Sequence, residues 1–263
     1  MNITKTAMIT VCGRPNVGKS SLTNALVGEK IAIVSDKPQT TRNRIYGVVN
    51  RGDTQYVLLD TPGLHKPRSR LGDYMVKVVR ESLSDVECAL LLVEPIPNVG
   101  GPEAELIARI KTLGCPSVLV INKVDTLEHK EELLEVIQTY GQAHEFTAVV
   151  PVSARTGEGV EELLDVLDGF LPQGPQLFPE DMVTDQPERQ MMAEILREKL
   201  LLCLIEGTWA AVALAEATAR AVQRIPDAHC NGDMHAALDY AAGVKHKQKE
   251  FLAKQGVHAI LDT

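Results

Sequence analysis

The chain has 263 residues, 44% of them apolar and 24% charged, the profile of an ordinary globular protein with room for a sizeable core. A formal net charge of -8 excludes a general attraction to nucleic acid or acidic lipid, so any such contact has to come from a local basic patch. The five cysteines (Cys12, Cys88, Cys115, Cys203 and Cys230) are scattered and form no CxxC pair, which argues against a thiolate metal site and for reduced thiols in a cytosolic setting.

In chain order, apolar runs of strand length alternate with helical patterns. Residues 7–12, 55–60, 88–94, 117–122 and 147–152 read as buried parallel strands. The first of these is too short for a signal peptide. Residues 20–27, 71–83, 103–112, 130–143 and 160–170 read as the helices between and after them. Residues 45–50 and the turn Arg51-Gly52-Asp53 add one antiparallel edge strand. This order predicts an α/β, doubly wound, mostly parallel sheet with right-handed crossovers and a ligand outside the carboxyl ends of its strands.

The breaker cluster Leu171-Pro172-Gln173-Gly174-Pro175 ends that pattern. It divides the chain into a first domain over 1–172, a linker over 173–187 and a C-terminal region over 188–263. Pro187 opens an amphipathic helix over 188–204. Beyond it the text is alanine-rich, and the stretch near residue 210 is broken by Glu216 and Arg220, which rules it out as a membrane span.

Gly13-Arg14-Pro15-Asn16-Val17-Gly18-Lys19-Ser20 satisfies GxxxxGK[ST] between a strand and a helix. Its glycines let backbone N–H groups curl around phosphates, and the helix N-terminus adds positive potential. Lys19 is expected to reach the β- and γ-phosphates and Ser20 to bind Mg2+, with Ser21 in the same pocket. Asp60-Thr61-Pro62-Gly63 closes a strand, placing the Asp60 carboxylate to hold Mg2+ through water and the Gly63 amide to meet a γ-phosphate. Asn122-Lys123-Val124-Asp125 closes another. An aspartate there accepts from guanine N1–H and the exocyclic amine together, and adenine offers neither. Ser153-Ala154-Arg155 follows the last strand, where the Ala154 amide is expected at the guanine oxygen.

The polar segment 35–44 has to supply a threonine to complete Mg2+ coordination, and Thr41 is favoured over Thr40. Leu64 stands where Ras-type GTPases place a water-orienting glutamine, so slow intrinsic hydrolysis is expected. His65, beside Lys66-Pro67-Arg68, reads as a solvated loop residue rather than a base. Lys19, Thr41 and Gly63 form the expected catalytic set. Asn16 is a candidate ligand for K+ acting in place of an arginine finger.

The run GRPNVGKS, PQTTRNRI, DTPGLHKP, NKVD and SAR, in this order and spacing, resembles the Era family of bacterial GTPases. The segment 175–187 resembles that family's interdomain linker, and residues 194–200 the start of its second domain, so the likeness covers roughly residues 1–204. The resemblance implies GTP and GDP as ligands and a role in 16S rRNA processing and assembly of the small (30S) ribosomal subunit. It also implies a C-terminal KH domain that binds the 3′ region of 16S rRNA, and a cytoplasmic monomer associated peripherally with the inner membrane face. The tail departs from this pattern. Gly207, Gly232, Gly243 and Gly256 never stand three apart, so the GxxG clamp of a KH domain is missing. Lys245-His246-Lys247-Gln248-Lys249 reads equally as a solvated basic helix face. A divergent or degenerate KH-like region and a reading frame changed near Cys203 both fit. A guanine-nucleotide-gated protein-binding module without KH-mediated RNA binding is the alternative function.

Overall fold

A computed structural model describes residues 3–34, 44–63, 83, 86–129 and 131–203. Of the polar segment 35–44 only Arg44 is described, and of the expected helix over 71–83 only Leu83. Thr41, Leu64, His65 and the whole tail from 204 lie outside the described residues.

The described elements run in the order β1 (Lys5–Cys12), α1 (Lys19–Val27), β2 (Ile45–Arg51), β3 (Thr54–Asp60), β4 (Cys88–Val93), α2 (Gly101–Leu113), β5 (Ser117–Ile121), α3 (Glu132–Ala143), β6 (Ala148–Pro151), α4 (Val160–Asp168) and α5 (Glu188–Cys203). The six strands form one sheet in the order β2-β3-β1-β4-β5-β6. β2 is antiparallel to β3, with Ile45 opposite Asp60 and Arg51 opposite Thr54, and every other pair is parallel. This is the doubly wound P-loop architecture expected from the alternating pattern.

The continuous apolar runs have a simple cause. Cys88, Leu90 and Leu92 of β4 join one core with α1 and α4, while Ala89, Leu91 and Val93 join a second core with α2 and α3 on the opposite face. A strand covered on both faces cannot alternate with polar residues, so periodicity gives way to unbroken hydrophobicity. Burial also pushes the Cys12 and Cys88 thiols up to about 12, the nearby Lys19 charge lowering Cys12 only in part.

Element ends differ from the sequence expectation by a residue or two. β1 begins at Lys5 because its first residues pair with Thr54 and Gln55 and its edge is bridged by Gln173. α4 stops at Asp168, where the Gly169 and Phe170 amides turn back to Val166 and Leu167.

The chain divides into two compact units, Met1–Gln186 and Pro187–Thr263. Residues 173–186 belong to the first and run along its sheet as a strap. Gln55, fully buried in β3, holds it: its side-chain oxygen accepts from the Leu177 and Phe178 amides at 2.9 Å each, and its Nε2 donates to the Phe178 carbonyl at 3.0 Å. Further along, the Val48 amide donates to the Val183 carbonyl at 2.9 Å and Thr184 bridges to Gly47, covering the open edge of β2. The described part of the second unit is α5, whose first turn returns the Gln190 and Met191 amides to the Pro187 carbonyl. No helix among the described residues is long and apolar enough to cross a membrane.

Candidate functional site

The carboxyl ends of β1, β3, β5 and β6 bring Gly13–Ser20, Asp60–Gly63, Asn122–Asp125 and Ser153–Arg155 to one rim of the sheet. A cavity of about 660 Å³ opens there, lined by Gly18, Ser21, Asn122, Asp125, Ala154 and Arg155. Asn24, Ala25, Val34, Lys123 and Thr126 complete its wall.

The loop after β1 reaches α1 through Gly18, whose φ of 96° lies in the left-handed region. A Cβ at this position would fall 2.2 Å from Asn122 Nδ2, so both conformation and space require glycine. Lys19 opens α1 almost fully buried, its Nζ donating to the carbonyls of Gly13 at 3.2 Å and Arg14 at 2.8 Å. Burial lowers its pKa to about 8, against the opposing charge of Asp60. A buried ammonium beside a cradle of backbone N–H groups is the charge that a polyphosphate compensates.

Ser20 Oγ donates to Asp60 Oδ2 at 2.7 Å, and Asp60 is fully buried. A hydroxyl and a carboxylate held this close form a hard-oxygen donor set that suits Mg2+, which takes one or two protein ligands and completes its shell with phosphate and water. Among the described residues no group of three or more His, Cys, Asp or Glu side chains is arranged to hold a metal ion by itself. Thr61 is fully buried and donates to the Val11 carbonyl at 2.8 Å, tying the start of the Asp60–Gly63 turn to β1. Pro62 is buried beside it. Gly63 then lies against Pro15: an added Cβ would stand 2.7 Å from the Pro15 Cα. Asn16 and Lys123 both hold left-handed backbones, with φ of 65° and 64°.

The far wall is organised by Asn122 and Ser153. Asn122 Nδ2 donates to the Val17 carbonyl at 2.8 Å and its Oδ1 accepts from the Ala154 amide at 3.0 Å. Ser153 Oγ donates to Asp125 Oδ1 at 2.7 Å and accepts from the Thr156 amide at 3.2 Å. Arg155, largely exposed, stands 3.9 Å from Asp125 Oδ2. The Ala154 amide expected at the guanine oxygen is therefore engaged by Asn122 in this geometry.

Sequence reasoning missed three residues that organise this rim. Glu94 follows β4 and contacts both Arg14 and Lys123. Glu103, in the first turn of α2, lies 3.4 Å from Arg14 Nε. Asn24 of α1 accepts the Ile31 and Ala32 amides and donates to the Ala32 carbonyl, fixing the chain just before residues 35–44. For Glu94 a signal existed, a charged residue closing an apolar strand at the ligand-bearing end.

Residues 8–123 match a family model described as a 50S ribosome-binding GTPase. GTPase Era of Clostridioides difficile is 41% identical over 240 residues, covering 89% of this chain and 81% of that protein. The chain belongs to the Era family of GTPases. GTPase Era of Alkaliphilus metalliredigens is 48% identical over 197 residues, covering 75% of this chain and 66% of its own length, so the chain spans about two thirds of that relative. Among solved structures, Era in complex with MgGDPNP and nucleotides 1506–1542 of 16S ribosomal RNA superposes with a TM-score of 0.74 at 38% identity, covering 77% of this chain and 69% of that one. A variant of Aquifex aeolicus Era bound to GDP·AlF4- gives the same TM-score at 37% identity, covering 79% of this chain and 70% of that one.

Proposed function

We propose that this Era-family chain is a switch that binds GTP and GDP with Mg2+, hydrolyses GTP slowly, and uses the nucleotide state to time its engagement of small-subunit ribosomal RNA. The Asp125–Ser153 hydrogen bond carries the base assignment, because it points a carboxylate at the cavity rim from a fixed direction. A guanine donates to that carboxylate twice, and a base without those donors leaves it unpaired.

In this reading Gly13, Arg14, Pro15, Asn16, Val17, Gly18, Lys19, Ser20 and Ser21 surround the phosphates. Asp60, Thr61, Pro62 and Gly63 form the turn beside the γ-phosphate, Thr61 tying it to β1, and Asn122, Lys123, Asp125, Ser153, Ala154 and Arg155 surround the base. Ser20, Thr41 and, through a water, Asp60 would hold Mg2+, which would supply positive charge against the phosphates. Lys19 stabilises charge developing on the transferred phosphoryl group, and the Gly63 amide binds its oxygen. Leu64 cannot orient water, so turnover is slow and the water is held by backbone, by a rearranged loop or by a partner, with K+ at Asn16 standing in for an arginine finger. Faster GTP turnover in potassium than in sodium buffer is the expected result, and equal turnover removes the cation from the reading.

The relative solved with a 16S rRNA fragment supports an RNA partner, and the family likeness also suggests a monomer peripherally attached to the inner membrane face. The second reading is a nucleotide-gated protein-binding module, motivated by residues 204–263, in which no two glycines stand three apart. Binding of a 16S 3′-end oligonucleotide, with and without a GTP analogue, separates the two. Saturable, sequence-selective binding supports the RNA switch; no binding in either state supports the module. A first domain over 1–172, a linker over 173–187 and an output region over 188–263 belong to the same proposal.

A further inference from the structure

Glu94 sits where β4 ends, between the phosphate loop and the base loop. Its Oε2 accepts from Arg14 Nη2 and its Oε1 from Lys123 Nζ. The same Lys123 ammonium donates to the Asn16 carbonyl at 2.7 Å. Arg14 is met from its other side by Glu103, which is almost fully buried and 3.4 Å from Arg14 Nε. One carboxylate thus ties two cations from segments more than a hundred positions apart, at the outer flank of the cavity. Burial raises the Glu94 carboxyl's pKa, but Lys123 and Arg14 outweigh it and hold it below its ordinary value, so it stays ionised at neutral pH.

We infer that Glu94 is a positioning residue that latches the phosphate-binding loop to the guanine-binding loop, and that this latch sets how long a bound guanine nucleotide stays. The inference rests on the nucleotide-binding reading above. Charge-assisted hydrogen bonds at a partly buried site are stronger than neutral ones, and here two of them converge on one group. A bound nucleotide spans both loops, so release requires the loops to part or the rim to open; the latch opposes that step without touching the ligand. A purely electrostatic role predicts the opposite sign. Removing a negative charge near the phosphates would strengthen their attraction and slow release.

The test is the dissociation rate of a fluorescent GDP analogue from the full chain, displaced by excess GDP in Mg2+ buffer. Glu94→Gln keeps the shape and removes the charge. It is expected to raise the dissociation rate about tenfold, the loss of roughly one charge-assisted hydrogen bond, with association changed less than twofold. Glu94→Asp retains the charge and is expected to recover part of the effect. Arg14→Ala combined with Glu94→Gln is expected to release nucleotide no faster than the more severe single variant, because both break one latch. Dissociation from Glu94→Gln that is unchanged or slower than wild type overturns the latch. If Glu94→Gln does not fold, Glu94→Ala with unchanged or slower dissociation overturns it equally. Wild-type protein that fails to bind the analogue overturns the nucleotide-binding reading itself, an outcome distinct from the failure of the latch alone.

Discussion

Asn122 and Val17, separated by 105 positions in the chain, are joined by a buried 2.8 Å hydrogen bond from the Asn122 carboxamide to the Val17 carbonyl. The other end of that carboxamide takes the Ala154 amide. One side chain therefore sets the spacing between the phosphate loop and both base-facing loops.

Asn122→Ala leaves the Val17 carbonyl and the Ala154 amide without this partner. Each buried polar group so exposed costs about 1–3 kcal/mol. The expected outcome is GDP affinity reduced about tenfold or more by calorimetric titration, together with a lower thermal midpoint. Unchanged affinity would show that the spacing is held by other contacts.

Asp125→Asn tests the base assignment directly. An amide in place of the carboxylate presents one donor and one acceptor, which matches xanthine rather than guanine. The variant is expected to lose preference for GTP and gain affinity for XTP in competition binding. Ser153→Ala removes the 2.7 Å hydrogen bond that orients this carboxylate and is expected to weaken GTP binding by a smaller factor. Full retention of GTP over XTP preference in Asp125→Asn would refute the assignment.

Gln55→Leu addresses the strap. The buried amide serves the Leu177 and Phe178 amides and the Phe178 carbonyl, and leucine offers none of these partners. The expected cost is about 2 kcal/mol, read as a lower urea midpoint with little change in the dependence on denaturant. Protease nicking within residues 173–186 is expected to rise in parallel, as the strap separates from β3.

Thiol reactivity should separate the two core cysteines from Cys115. Burial raises Cys12 and Cys88 to about 12, so the thiolate is scarce at pH 8 and the sulfur is inaccessible. Cys115, half-buried, is raised by burial and by the nearby Glu87 charge. Mass-spectrometric mapping after brief treatment with a thiol reagent is expected to find Cys115 labelled before Cys12 and Cys88, and those two labelled only on unfolding. Early labelling of Cys12 would contradict its packing under the phosphate loop.

His144 predicts a mild acid dependence of stability. Burial and the Lys111 charge lower its pKa below 6.5, and its Nε2 lies 2.9 Å from Ser117 Oγ. The unfolded chain therefore binds this proton first. The contribution is fully present above about pH 6.5 and declines as pH falls through that value toward the lower folded pKa. His144→Gln is expected to flatten this part of the curve of thermal midpoint against pH.

Much of the molecule was legible in the amino-acid order. The strands of a sheet buried on both faces are runs such as Cys88–Val93, and a run of that length between breakers has few other readings. The phosphate loop was equally legible, because backbone N–H groups curling around an anion need glycine and lysine at fixed spacing within a few residues. These are local requirements, so the order of residues alone determined them, and with them the doubly wound class.

What only the tertiary structure decided are contacts between distant segments. Glu94 is an ordinary acidic residue until the sheet places Arg14 on one side of it and Lys123 on the other. Gln55 is a polar interruption in a strand until residues 173–186 fold back over it. The segment 173–186 itself reads as a linker from its prolines and glycine, yet its backbone is absorbed into the edge of the sheet. The physical reason is the same in each case. A hydrogen-bond partner far along the chain leaves no periodic or spacing signal, and only the sheet order β2-β3-β1-β4-β5-β6 brings the two ends together.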